Sequence, residues 1–447
     1  MKDNSPRFRA AYSPQAWVTH GLLVVATPAL VSAAGTDAHP HFGPILFSLA
    51  VLVVAAKVGG LLAERWHQPP VLGELLAGIA LANLLPLLVA AERLAFIRAD
   101  PTLRVLAEVG VLILLFDVGL EADLRALARV GASSVVVALI GVMVPLGLGW
   151  GAALWLLPES PMVVHLLVGA TLSATSVGIT ARVLRDLGAI NTQEGQIILG
   201  AAILDDVLGL IVLAVVTGIA AAAAGGAVLS SAAVVGILLR ALLFLGITVA
   251  LGHFLSNPIV RVAARTGHPE VMLVLGLALC FTLAFVAERV GLADIIGAFA
   301  AGLLLDPYGR GVRTRQEDAT LAELLRPLSS LFVPLFFVVV GLQVDLGSLA
   351  SLPALGFGLV LILCAFAGKL ACALGVLGRG ASRLTVAIGM VPRGEVGLIF
   401  AGIGTTLTLA GQPLLSQRLF SAVVLMVLVT TLVTPVGLRL AFHRRGA

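Results

Sequence analysis

The sequence predicts an all-α membrane protein: thirteen transmembrane helices, arranged as two inverted six-helix repeats about a linker helix. Three observations predict it. The 447 residues are 59% hydrophobic and only 12% charged, with a mean hydropathy of +1.09, whereas soluble domains carry roughly 25% charged residues. The apolar residues gather into runs close to the roughly 20 residues that cross a bilayer as a helix. Two glycine motifs of the first half recur in the second, in order and at similar spacing. A chain so poor in charge cannot cover its surface with polar groups. That excludes a soluble enzyme, a disulfide scaffold and a disordered protein. The net charge of +4 comes from basic residues scattered through short loops, so no nucleic-acid partner is expected. Cys280, Cys364 and Cys372 lie in apolar runs without metal-ligand or redox spacing and read as small packers. No cofactor is expected.

Residues 1–34 come first. A basic leader (Lys2, Arg7, Arg9) precedes an apolar run, Trp17 to Ala34, that ends in small residues. This fits a cleavable signal peptide, with an uncleaved extra helix as the rival reading. Spans are then expected at 43–63, 71–90, 104–120, 132–156, 162–184, 194–218, 229–253, 270–289, 291–305, 327–344, 352–376, 383–410 and 418–440. Arginines concentrate after the odd-numbered spans: Arg125 and Arg129 after the third, Arg261 and Arg265 after the seventh, Arg310, Arg313 and Arg315 after the ninth. The positive-inside rule puts those loops in the cytoplasm, the mature N-terminus outside and the C-terminus inside.

The repeat lies in spans two, three, nine and ten. Gly73-Glu-Leu-Leu-Ala-Gly78 is matched by Gly297-Ala-Phe-Ala-Ala-Gly302, and Gly119-Leu-Glu-Ala-Asp by Gly341-Leu-Gln-Val-Asp. The paired units are spans 1–6 and 8–13. An even-numbered unit followed by one linker span makes the second copy enter from the opposite face, as in secondary transporters.

The fifth and twelfth spans, equivalent under this repeat, are both interrupted. The fifth carries Ser173-Ala-Thr-Ser-Val-Gly-Ile-Thr180, rich in hydroxyls at mid-membrane. The twelfth carries Met390-Val-Pro-Arg-Gly-Glu-Val-Gly397, where Pro392 removes a backbone donor and Gly394 weakens the helix. Breaks at corresponding places mark the binding site of inverted-repeat transporters. A helix-packing face and a cytoplasmic loop are the plain alternatives.

Five charges lie at membrane depth: Asp205 and Asp206 in the sixth span, Lys369 in the eleventh, Arg393 and Glu395 in the twelfth. Each costs at least a few kcal/mol near a helix centre. Adjacent helical residues point about 100° apart, so one carboxylate can pair with Lys369 while the other faces a cavity. A carboxylate that takes either a proton or a monovalent cation couples the two by competition. Asp117, in the third span, is a cavity candidate. Arg240 in the linker could meet an acidic group or a lipid phosphate. Glu74 and Asp294 read as helix caps.

Residues 173–184, 199–216, 334–342 and 390–398 resemble the second family of monovalent cation:proton antiporters, most closely the NapA-type sodium/proton exchangers. The resemblance covers residues 43–440. It implies an NhaA-like fold and a homodimer in the bacterial inner membrane. Residues 43–120 and 270–344 would form dimer-domain helices, 132–218 and 352–440 the moving core, and 229–253 the linker. It also implies that Asp206 is the main proton- and cation-binding carboxylate and that Asp205 forms a switchable ion pair with Lys369. Thr175 and Ser176 would add ligands, and Arg393 and Glu395 would stabilise the crossing of the two breaks. The Asp-Asp pair resembles the electrogenic members. The expected function is exchange of sodium or lithium for protons by alternating access, with no enzymatic activity. A potassium/proton antiporter of the same fold is the alternative, and a cation channel the more distant one.

Overall fold

A computed structural model describes residues 42–66, 68–84, 100–121, 131–224, 235–248, 250–251, 268–305, 320–349, 351–378, 380–409 and 411–443. Residues 1–34 and most of the arginine-bearing loops lie outside them. The described helices are α1 (Phe42–Arg65), α2 (Pro70–Asn83), α3 (Pro101–Glu121), α4 (Ala132–Leu156), α5 (Met162–Ser173), α6 (Val177–Asp186) and α7 (Gln193–Ala224), then α8 (Val235–Thr248), α9 (Pro269–Arg289), α10 (Asp294–Leu305) and α11 (Leu321–Leu342). They continue with α12 (Leu352–Leu370), α13 (Arg383–Gly389), α14 (Glu395–Thr406) and α15 (Gln417–His443).

Seven of these stretches are long and apolar enough to cross a membrane: α1, α4, α7, α9, α11, α15, and α12 with the 3₁₀ turn Ala371–Gly375 that follows it. Helix α3 has the length, but Arg104, Glu108, Asp117 and Glu121 make it less apolar. Helices α2, α5, α8 and α10 are shorter apolar helices.

Local chemistry sets the boundaries. Proline opens α2 and α9, where its missing N–H removes nothing the helix needs. Helix α11 begins six residues before the expected start at 327, because Thr320 and Glu323 form a reciprocal capping box. The Thr320 hydroxyl accepts from the Glu323 N–H at 3.2 Å, and the Glu323 carboxylate accepts from the Thr320 N–H at 2.8 Å. The expected span 383–410 resolves into α13, an extended stretch and α14. It then enters a two-stranded hairpin, β1 (Thr408–Leu409) and β2 (Gln412–Pro413), turned by Gly411 at φ +78.

The helices form two packed groups. In one, α2 lies on α1 and α11, α3 on α10 and α11, and α9 on α10. In the other, α4 contacts α5, α7 and α12, α15 contacts α12, α13 and α14, and α5 contacts α14. An apolar core runs continuously between them.

The first group touches backbone to backbone through glycine. A Cβ placed on Gly78 would lie 2.9 Å from the Cα of Gly341, and one on Gly119 would lie 3.1 Å from the Cα of Gly302. Gly73 meets Gly59 in the same way, and Gly297 meets Leu283. Small residues at such contacts let helices approach within membranes.

The chain crosses from the first group to the second just after α11. There Asn83 holds two backbone groups, donating to the Val344 carbonyl at 2.9 Å and accepting from the Leu346 N–H at 3.0 Å. The Asp345 N–H between them donates to the Ser421 hydroxyl of α15 at 3.1 Å.

Candidate functional site at two crossed helix breaks

Two breaks lie inside the second group. Helix α5 stops at Ser173, Ala174 is extended, and α6 starts at Val177. The hydroxyls of Thr171 and Ser173 bond back to Val168 and Ala170 carbonyls, at 2.7 and 2.8 Å, offering local alternatives to the helical ladder. Helix α13 stops at Gly389, Pro392 lacks a donor, and α14 starts at Glu395.

The two breaks cross, and each supplies partners for backbone groups of the other. The Ser176 N–H donates to the Pro392 carbonyl at 2.9 Å. The Thr180 hydroxyl donates to Gly389 at 2.8 Å. The Arg393 guanidinium, fully buried, donates to the Ala174 carbonyl at 3.3 Å and to Ala365 on α12 at 3.3 Å. The Thr431 hydroxyl on α15 donates to the Arg393 carbonyl at 2.6 Å. In a membrane core, where water cannot serve these groups, such pairing makes irregular backbone tenable.

Helix α7 runs unbroken past the crossing. One oxygen of Asp205 accepts from the Thr175 N–H at 2.7 Å, and the other lies 3.2 Å from the Lys369 ammonium. Both charged side chains are 0% exposed, so this pair is desolvated on every side. Asp206, the next residue round the helix, is partly exposed. Thr175 and Ser176 are buried, and among the described residues the Thr175 hydroxyl oxygen has no hydrogen-bond partner. Helix α4 passes over the ion pair at Gly141, where a Cβ would lie 3.3 Å from the Lys369 Nζ and 3.7 Å from an Asp205 oxygen.

Asp205, Lys369, Thr175, Ser176 and Arg393 are therefore brought together. Glu395 begins α14, but its side chain lies outside the described residues. Asp117 stands in the other helix group, with Glu121 and Arg326 as its charged neighbours. Arg240 is exposed on α8. Thr431 and Gly141 had no assigned role in the sequence. The available signal for Thr431 was the run of hydroxyls Thr430, Thr431 and Thr434 ahead of Pro435.

A cavity of about 710 Å³ opens between the two helix groups. Arg104, Glu108, Asp294 and Asp345 line it from one side, and Ile399 and Ile403 of α14 from the other.

A family model described as sodium/hydrogen exchanger, transmembrane, matches residues 49–443. The high-affinity Na(+)/H(+) antiporter NhaS3 of Synechocystis sp. is 35% identical over 431 residues, covering 89% of this chain and 90% of that protein. The Na(+)/H(+)-K(+) antiporter GerN of Bacillus cereus is 33% identical, covering 89% and 96%. An Enterococcus hirae Na(+)/H(+) antiporter is 30% identical, covering 88% and 96%. Among solved structures, the sodium proton antiporter MjNhaP1 from Methanocaldococcus jannaschii shares the fold at a TM-score of 0.63 and 17% identity, over 88% of this chain and 96% of that one.

Proposed function

The chain belongs to the sodium/hydrogen exchanger family, and from that premise we propose a transporter exchanging sodium or lithium for protons by alternating access. One observation carries the assignment of the site. A pair of adjacent carboxylates lies beside two crossed helix breaks, and its more buried member is already neutralised. Asp205 has Lys369 and the Thr175 amide as partners. Asp206 points about 100° away from it and keeps part of its surface open.

Asp206 takes a proton or a monovalent cation, and the two compete for one carboxylate. The buried Thr175 hydroxyl, with Ser176 beside it, supplies the hard oxygen that an alkali cation prefers over nitrogen or sulfur. Lys369 exchanges between Asp205 and solvent as the site fills and empties. Arg393 holds the crossing, with Glu395 two residues on in sequence, and Asp117, which does not line the cavity between the groups, remains a candidate of the other helix group.

The same reading extends to architecture. The chain forms thirteen spans in two inverted repeats, and the glycine contacts support this. Replacing each residue of the Gly78–Gly341 contact by its repeat counterpart yields Gly302–Gly119, which is also a contact. Moving Gly73 and Gly59 on by 224 residues yields Gly297 and Leu283, a contact again. The first helix group is the dimer domain of a homodimer, and the second is the moving core. The protein sits in a bacterial inner membrane with its mature N-terminus outside and its C-terminus in the cytoplasm. Residues 1–34 are a signal peptide, and exchange is electrogenic. Potassium as the cation is the second reading, favoured by the similarity to GerN, whose name includes that ion.

The test uses purified protein in liposomes with an acid interior and a pH-sensitive dye. Sodium, lithium or potassium is added outside. Sodium-dependent loss of the gradient that disappears in Asp206→Asn is the expected result. A response to potassium without one to sodium overturns the choice of ion, and exchange by Asp206→Asn overturns the site.

A further inference from the structure

We propose that Thr431 is a positioning residue for the ion site, acting through Arg393 and a single peptide group on Asp205. The proposal rests on the functional reading above. Under the repeat proposed above, helices α7 and α15 occupy the same place in the two halves, and each sends one polar side chain to the break that precedes it. From α7, Asp205 accepts the Thr175 N–H at 2.7 Å. From α15, Thr431 donates to the Arg393 carbonyl at 2.6 Å. The two contacts are matched in place and opposite in polarity.

Thr431 reaches the ion pair through a continuous set of hydrogen bonds. The Arg393 guanidinium donates to the Ala174 carbonyl. That carbonyl and the Thr175 N–H belong to the same peptide group, so a donor on the oxygen polarises the N–H that Asp205 accepts. The other arm of the guanidinium reaches the Ala365 carbonyl, one helical turn before Lys369. Both guanidinium bonds are 3.3 Å, longer than the usual range for N–H···O bonds. The Arg393 Nε has no partner among the described residues. The side chain's own hydrogen bonds are therefore long and incomplete, and its position also depends on the backbone that Thr431 and the Ser176 N–H hold. Thr431 is 4% exposed, so water does not replace its hydroxyl. The neighbouring Thr430 and Thr434 hydroxyls bond within α15 itself, to Met426, Val427 and Thr430 carbonyls. Thr431 is the one of the three that reaches the break.

The test compares wild type, Thr431→Val, Thr431→Ser and Asp206→Asn as purified proteins in liposomes. Initial rates are measured over a sodium series at several pH values. Thr431→Val keeps the shape and removes the hydroxyl. It should raise the KM for sodium about tenfold, ~1.4 kcal/mol, the scale of one hydrogen bond, with the maximal rate within about twofold. Thr431→Ser should restore the KM. A Thr431→Val protein with the wild-type KM overturns the proposal. So does a loss of maximal rate at unchanged KM in both variants, which marks the hydroxyl as structural only. Failure of the functional reading looks different: wild type shows no sodium-dependent exchange, or Asp206→Asn retains it.

Discussion

Replacing Lys369 with methionine isolates the energetics of the buried pair. Methionine keeps an unbranched chain of similar length and removes the charge. The variant leaves Asp205 in the membrane core with the Thr175 N–H at 2.7 Å and with Arg393 as the nearby cation. Removing one partner of a buried pair costs about 3–5 kcal/mol, because the other charge stays desolvated. The Thr175 bond exists before and after the change, so it offsets none of this. Arg393 places the expected loss at the lower end, about 3 kcal/mol. Adding Asp205→Asn removes the orphaned charge, and the double variant should regain at least ~1 kcal/mol. The assay is thermal unfolding of the four proteins of this cycle in one detergent, read as an order of stability. Wild type should melt highest and both single variants lower, with the double variant above Lys369→Met. A Lys369→Met protein melting within ~2 °C of wild type would refute the reasoning. So would a double variant less stable than Lys369→Met alone.

Two further expectations concern packing and loop attachment. Gly302→Leu should abolish the folded, monodisperse protein on size-exclusion chromatography, because even a Cβ at this position collides with the Phe116 carbonyl oxygen; a normal elution profile contradicts the close approach. Glu194, on α7, accepts the N–H of Ser382 just before α13 at 2.7 Å. Glu194→Ala should lower stability by about 1–3 kcal/mol in thermal melts, with Glu194→Gln closer to wild type because an acceptor oxygen remains; equal losses in the two variants would assign the effect to charge.

The apolar helices were legible because lipid demands long apolar runs, and the breaks because they violate that demand. Pro392 and the hydroxyl run at 173–180 have no place in an ordinary span. Asp205, Asp206 and Lys369 stood out for the same reason. Two features were not legible. The start of α11 depends on a capping box whose Thr320 precedes the apolar run. Adjacency in sequence does not say which carboxylate meets Lys369, because that depends on helix rotation; the family resemblance named Asp205, and the Asp205–Lys369 contact is present. The role of Thr431 was hidden because most membrane threonines bond back to their own helix, as Thr430 and Thr434 do here. Only the position of the Arg393 carbonyl distinguishes it.

The junction after α11 has a mechanical consequence. Three consecutive residues alternate in allegiance: Val344 and Leu346 are fastened to Asn83, and Asp345 between them is fastened to Ser421. Hydrogen bonds near 3 Å tolerate only a few tenths of an ångström of stretch before they weaken. A shift of one helix group against the other by an ångström or more cannot leave all three intact. The junction therefore ties the two groups together at one point, and any such shift must break at least one of these three bonds.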